Sequence, residues 1–223
     1  MKNKMQMTIP FFLVPLFGLI LMGCGSRRGT DPGPAYSVSP AVAASADAAG
    51  TTGPAADRRT AAVVFVEYVT TPQDVVERML ELAAVTKEDV VYDLGCGDGR
   101  IVVTAARRYG CRAVGYDLDL LRVREARQNA AEQGVAHLVT IEQQDVLKVD
   151  LQDATVVALY MGAELNARLI PQLRKLRPGA RIVSHEFPIG ALPPERTVRM
   201  SSRLTGRRHT IYLWTCPLPP PSH

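Results

Sequence analysis

Hydrophobic positions along the chain change period several times after residue 70. In "PQDVVERMLELAAV" (72–85), Val75, Val76, Met79, Leu80, Leu82 and Ala83 recur at helical spacing, and Pro72 suits a first helical position, where its missing N–H is not needed. "DVVYDL" (89–94) is a short apolar run of the kind a buried strand shows. "GRIVVTAARRYG" then reads as a helix closed by Gly110, "RAVGYDL" as a strand, and "LLRVREARQNAAEQG" as an amphipathic helix ending at Gly134. "HLVTIEQQD" and "ATVVALYM" are strand patterns, and "AELNARLIPQLRKL" (163–176) is a helix that Pro171 kinks or breaks. "ARIVSHEF" (180–187) is a strand, and two further strands flank "TGRR" as a hairpin. Alternating βα units predict an α/β fold: a mostly parallel seven-strand sheet with helices on both faces and an antiparallel hairpin at its C-terminal end. No internal repeat is present.

The stretch after the first strand, "DLGCGDGR", occupies the place where open α/β sheets bind ligands. A dinucleotide fingerprint needs its third glycine at position 100, which is Arg100, and no Gly-Lys-Ser/Thr exists for a phosphate loop. What stands there is Asp93, Gly95, Gly97 and Gly99. This resembles the cofactor motif of class I, seven-strand, Rossmann-like S-adenosylmethionine methyltransferases. The resemblance implies that Asp93 holds the cofactor's ammonium, directly or through water, and that the glycines let the backbone come close. The competing explanation is a tight strand-to-helix turn whose glycines serve packing alone. Two more acids favour the ligand: Asp117, 24 residues after Asp93 at the end of the second strand, and Asp145 at the end of the third. The family places them on the ribose hydroxyls and near the adenine amino group; a carboxylate accepts both bonds from vicinal hydroxyls. Asp119 reads instead as a helix cap.

The longer run "YVTTPQDVVERMLELAAV" with "VVYDLGCGDGRIVVTAA" resembles small bacterial relatives of membrane-anchored lysine methyltransferases. That resemblance implies a cofactor-covering segment with Tyr68, Thr71 and Pro72, in which Thr71 or Tyr68 bonds the cofactor's carboxylate; the alternative for Thr71 is a helix cap. The implied acceptor is a protein lysine amine, with a small molecule or lipid as the alternative, and a non-catalytic lipoprotein retaining the fold as a third. "ALYMGAELN" follows the fourth strand where the methyl end of the pocket belongs, and it lacks the Asn-Pro-Pro-Tyr of DNA-adenine enzymes. Tyr160 and Glu164 are the catalytic candidates, because an ammonium must lose its proton before attack and an acidic or phenolic neighbour can orient it. Asn166 is a further polar candidate beside them, His185 and Glu186 follow the fifth strand and are expected toward the same cavity, though a strand-end histidine is more often structural, and Cys96 reads as small filler. Only "PIGALPPE" (188–195) separates the fifth strand from the hairpin, too short for a full last helix.

Composition changes the picture at the amino terminus. The chain has 223 residues, 47% hydrophobic and 22% charged, enough for one well-cored domain. Residues 1–24 combine Lys2 and Lys4 with an apolar run, Ile9 to Met22, too short for a bilayer-spanning helix, and read as a signal peptide. Leu21-Met22-Gly23-Cys24 resembles a bacterial lipobox. Residues 25–62, rich in Gly, Ala, Ser, Thr and Pro, predict a disordered tether. The methyltransferase domain is expected over 63–216, with a Pro-rich tail at 217–223. Residues 1–23 hold two lysines and no acids, so the remainder carries +2 against +4 for the whole chain, little support for nucleic-acid binding. Cys96, Cys111 and Cys216 show no metal-ligand spacing, and no metal is expected. The expected partners are a protein or small-molecule methyl acceptor and a membrane reached through the leader. A lipoprotein signal points outside the cytoplasm, where this cofactor is not expected, so the side of the membrane stays open.

Overall fold

The structure is a computed structural model, and it describes residues 69–220. The expected leader and lipobox (1–24), the expected tether (25–62), Tyr68 and the end of the tail (221–223) lie outside the described residues. The chain runs α1 (Gln73–Leu82), β1 (Val90–Leu94), α2 (Arg100–Tyr109), β2 (Arg112–Asp117), α3 (Leu120–Glu132), β3 (Val139–Gln143), β4 (Val156–Leu159), α4 (Ala163–Arg168), α5 (Ile170–Leu173), β5 (Arg181–His185), β6 (Arg196–Ser201) and β7 (Arg208–Thr215). The strands form one seven-stranded sheet in the order β3-β2-β1-β4-β5-β7-β6. The five strands β1–β5 are parallel; β7 inserts antiparallel between β5 and β6. The expected Rossmann-like architecture with its C-terminal hairpin is the one observed.

Each face of the sheet has its own core. On one, α1, α2 and α3 cover the strands with Val76, Met79, Leu80, Ile101, Val102, Val123 and Ala126 against Val91, Ala158, Val183 and Ile211. Full burial of such side chains stabilises by about 1.5–3 kcal/mol each relative to exposure. The first turn of α1 is also tied to the hairpin. Asp74, buried, accepts from Ser202 Oγ at 2.9 Å and from the Arg203 amide at 2.6 Å. These bonds outweigh the desolvation of Asp74 and hold its carboxyl below the usual carboxylate range.

The other face is covered by α4, α5 and irregular chain, through Leu169, Leu173, Ile189, Leu192 and the tail residue Leu218. The run 163–176 is broken rather than kinked, because Pro171 sits at the start of α5 and cannot continue the ladder of α4. Between β3 and β4 stands only a 3-10 turn, Val146–Lys148. A cavity of about 470 Å3 opens there, lined by Tyr92, Tyr116, Lys148 and Asp150 among others. The loop 188–195 forms no helix, as its length predicts, and Trp214 Nε1 donates to Leu192 O to hold it down.

Candidate active site

The site is built on the carboxyl ends of β1, β2, β4 and β5. The β1 strand delivers the chain into a loop whose three glycines all have positive φ, 78° at Gly95, 55° at Gly97 and 76° at Gly99. The loop is pinned to β2: Gly95 N and Cys96 N donate to Tyr116 O, and Gly97 N donates to Asp117 Oδ2 at 2.8 Å. The glycines do not share one purpose. A Cβ on Gly99 would lie 2.8 Å from Ala126 Cβ, so Gly99 lets α2 approach α3, the packing explanation. A Cβ on Gly95 would meet only the flexible Met161 side chain, at 2.9 Å. Cys96 packs as filler against the position of Gly115, and burial pushes its thiol pKa up.

Asp93 is 2% exposed. Burial, reinforced by the neighbouring Asp117 and Asp98, raises its pKa to about 8. A buried acid surrounded by acids is a site that a cation relieves, which fits the ammonium of S-adenosylmethionine. Asp117 Oδ1 also accepts from Asp119 N at 3.0 Å, and each carboxylate oxygen keeps a further lone pair for a hydroxyl. Asp119 caps α3 through Leu121 N, as expected, while half-buried Asp145 caps the 3-10 turn through Leu147 N. Asp98 pairs with Arg100, whose Nη1 donates to Thr71 O at 2.7 Å and fastens the segment before α1 to the glycine loop.

Thr71 links the two ends of the site. Its Oγ1 lies 3.0 Å from His185 Nδ1, and the helix cap considered for it is absent: α1 is capped at Pro72 without a side-chain bond. Tyr160, just after β4, packs tilted against His185 with ring centroids 4.2 Å apart and stacks on Phe187 at 6.0 Å. Burial, then the charge of Glu186, raises the Tyr160 pKa, which keeps its phenol protonated and able to hydrogen-bond. His185 is fully buried, and burial followed by the proximity of His209 lowers its pKa to about 4. Glu164 lies exposed in the first turn of α4. Asn166 is buried and ties α4 to the end of β5 by donating to Ser184 Oγ and Phe187 O.

His209 was not among the residues the sequence singled out. It lies on β7, two residues before Ile211, which pairs with His185, so the two histidines share a sheet face. Their nitrogens approach to 2.9 Å, and Glu186 Oε1 is 2.9 Å from His209 Nδ1. Recognising this from sequence requires the β5–β7 register. The hairpin also concentrates charge that the near-balanced total conceals: Arg196, Arg199, Arg203, Arg207 and Arg208 are all exposed, and no acid occurs between 196 and 215.

Residues 93–196 match the family model described as ANTKMT methyltransferase domain. A Saccharolobus islandicus (strain REY15A) protein named protein-lysine N-methyltransferase is 43% identical over 154 residues, 68% of this chain and 94% of that one. The mouse adenine nucleotide translocase lysine N-methyltransferase is 36% identical over 143 residues, which span 63% of this chain and 62% of the mouse protein. Among solved structures, a Salinibacter ruber chain described as an RNA methyltransferase in complex with S-adenosyl-L-homocysteine is 47% identical. It has a TM-score of 0.64 and covers 70% of this chain and 98% of its own.

Proposed function

The chain belongs to the class I S-adenosylmethionine-dependent methyltransferases, and from that premise we propose that it methylates the side-chain amine of a protein lysine. The observation that carries the acceptor is the similarity to the Saccharolobus protein-lysine enzyme over nearly that protein's whole length. The bound cofactor supplies an activated methyl group on a sulfonium. In this reading Asp93 holds the ammonium, Asp117 takes the ribose hydroxyls, and Gly95 and Gly97 bring the backbone close. Gly99 supports them by packing α2 on α3. Asp145 sits beside the adenine, and Thr71 positions the segment that covers the cofactor. Tyr160 and Glu164 face the incoming amine, which attacks in line with the departing sulfur, so alignment and exclusion of water supply most of the acceleration.

Residues 1–24 serve in this reading as a signal and lipid anchor that keeps the enzyme at a membrane; the support is the basic start, the apolar run and the Leu21-Met22-Gly23-Cys24 sequence. Among the described residues no helix is long and apolar enough to cross a membrane. Mass spectrometry of the mature amino terminus tests this arm: a lipidated Cys24 supports it, and an unmodified Met1 in purified membranes removes it.

RNA is the second reading, favoured by the five exposed hairpin arginines and by the description of the Salinibacter chain. One assay separates the two. Tritiated methyl transfer into extract from cells lacking the enzyme is followed by separate digestion of protein, RNA and lipid. The lysine reading expects label in methyl-lysine; label confined to nucleosides or to lipid overturns it and leaves the fold and cofactor intact.

A further inference from the structure

At the C-terminal end of β5 and the adjoining N-terminal end of the antiparallel β7 three lone-pair-bearing atoms converge: His185 Nε2, Glu186 Oε1 and His209 Nδ1. We propose that they form a binding site for a divalent first-row transition cation, zinc by preference. Their separations are 2.9 Å between the two ring nitrogens, 2.9 Å between His209 Nδ1 and Glu186 Oε1, and 3.5 Å between His185 Nε2 and Glu186 Oε1. Donors held at zinc's usual bond lengths stand roughly 2.9 to 3.6 Å apart for angles between square and trigonal, so the triangle has the size such an ion imposes. Two imidazoles and one carboxylate are a donor set that zinc takes in sites with an open fourth position.

The supporting structure points the same way. Thr71 Oγ1 engages His185 Nδ1, and donation from that nitrogen leaves Nε2 as a lone pair facing the other two atoms. Glu186 adopts φ 61°, uncommon for a side chain of its size, and its amide donates to Thr210 O, which turns the carboxylate back onto β7 beside His209. A purely hydrogen-bonded cluster accounts for the triangle less well. With His185 Nε2 unprotonated, as donation from its Nδ1 to Thr71 leaves it, His209 Nδ1 lies equally close to two acceptors and one proton must serve both, whereas a cation serves all three atoms. His209 Nε2 has no partner among the described residues under either arrangement and does not discriminate. The site is reachable, because the Glu186 side chain is 30% exposed while those of His185 and His209 are 1% and 11% exposed. Its place under the Tyr160 ring puts it at the acceptor end, apart from the acids expected to hold the cofactor.

The test titrates the full-length chain with Zn2+ against a chromophoric chelator and with Co2+ followed by its visible absorption. The expected result is one ion per chain, with Glu186→Gln and His209→Gln each weakening binding at least tenfold. Binding of S-adenosyl-L-homocysteine without metal, unchanged in both variants, shows that they are folded. Absence of saturable binding in the parent up to millimolar ion overturns the proposal. So does parental affinity in a His185→Asn, His209→Asn double variant that still binds S-adenosyl-L-homocysteine, because the ion then sits elsewhere.

Discussion

The two ends of the active site are built in opposite ways. The proposed cofactor end comes mainly from one β–α–β unit, residues 93 to 117, joined by Asp145 and the Thr71 segment, and that unit is held by backbone: positive-φ glycines and amides donating to Tyr116 O and Asp117. The proposed acceptor end is collected from three separate places, Tyr160, His185 with Glu186, and His209, and is held by side chain on side chain, with Thr71 tying His185 to the segment before α1. A local backbone device has a fixed spacing and tolerates few changes. A constellation assembled through sheet pairing can exchange its members while the cofactor end stays as it is. This division suits an enzyme fold whose methyl donor is constant and whose acceptor varies.

Substitutions at the cofactor end should break binding outright. Asp93→Ala and Asp117→Ala are each expected to weaken S-adenosylmethionine by about 1.5–3 kcal/mol, the loss of a charged hydrogen bond, measured by titration calorimetry. Parental affinity in both, with the fold intact, removes the assignment of these acids. Asp93 also sets a pH dependence. Its pKa is raised to about 8 in the free protein, so the ammonium-binding carboxylate forms only as pH approaches that value. Cofactor affinity should therefore rise with pH by up to about tenfold per unit below 8 and fall again above it as the cofactor's own ammonium loses its proton. The same raised pKa means that the folded chain holds a proton the unfolded chain releases near pH 4, so the cofactor-free protein loses stability as pH rises from there toward 8. Asp93→Asn should flatten both profiles; an unaltered slope in that variant would assign the titration to another group.

Within the glycine loop the comparison sharpens further. Gly99→Ala should destabilise the fold by about 1–3 kcal/mol, from the left-handed φ and the clash with Ala126, while the protein that remains folded binds cofactor normally. Thermal unfolding and calorimetry on one sample separate these effects, and lost affinity without lost stability would give Gly99 a ligand role instead. The smallest effects belong to the acceptor end. Tyr160→Phe and Glu164→Gln should lower kcat with nearly unchanged cofactor affinity, Glu164 least because it is exposed. A shift in cofactor Kd for Tyr160→Phe would move that residue to the other end of the site.

This contrast also explains what could be read from the residues. The βα alternation, the strand ends carrying Asp93 and Asp117 and the short 188–195 loop follow from period and length, and the structure has them where they were expected. Gly99 looked like its two neighbours, and only the distance to Ala126 separates packing from ligand approach. His209 stayed hidden because its partner His185 is 24 residues away on a strand whose antiparallel register the local pattern does not specify. The arginine-rich hairpin was masked by averaging charge over the whole chain. The broken helix at Pro171 was anticipated as one of two outcomes, and the competition between helix continuation and the missing N–H decided it.

The most direct test is a crystal structure of the chain grown with S-adenosyl-L-homocysteine. The product's ammonium should lie within hydrogen-bonding distance of Asp93, directly or through one water, with both ribose hydroxyls on Asp117 and the sulfur facing Tyr160. Ligand density in the cavity beside Tyr92 and Tyr116, or a ribose bound away from Asp117, would contradict the assignment.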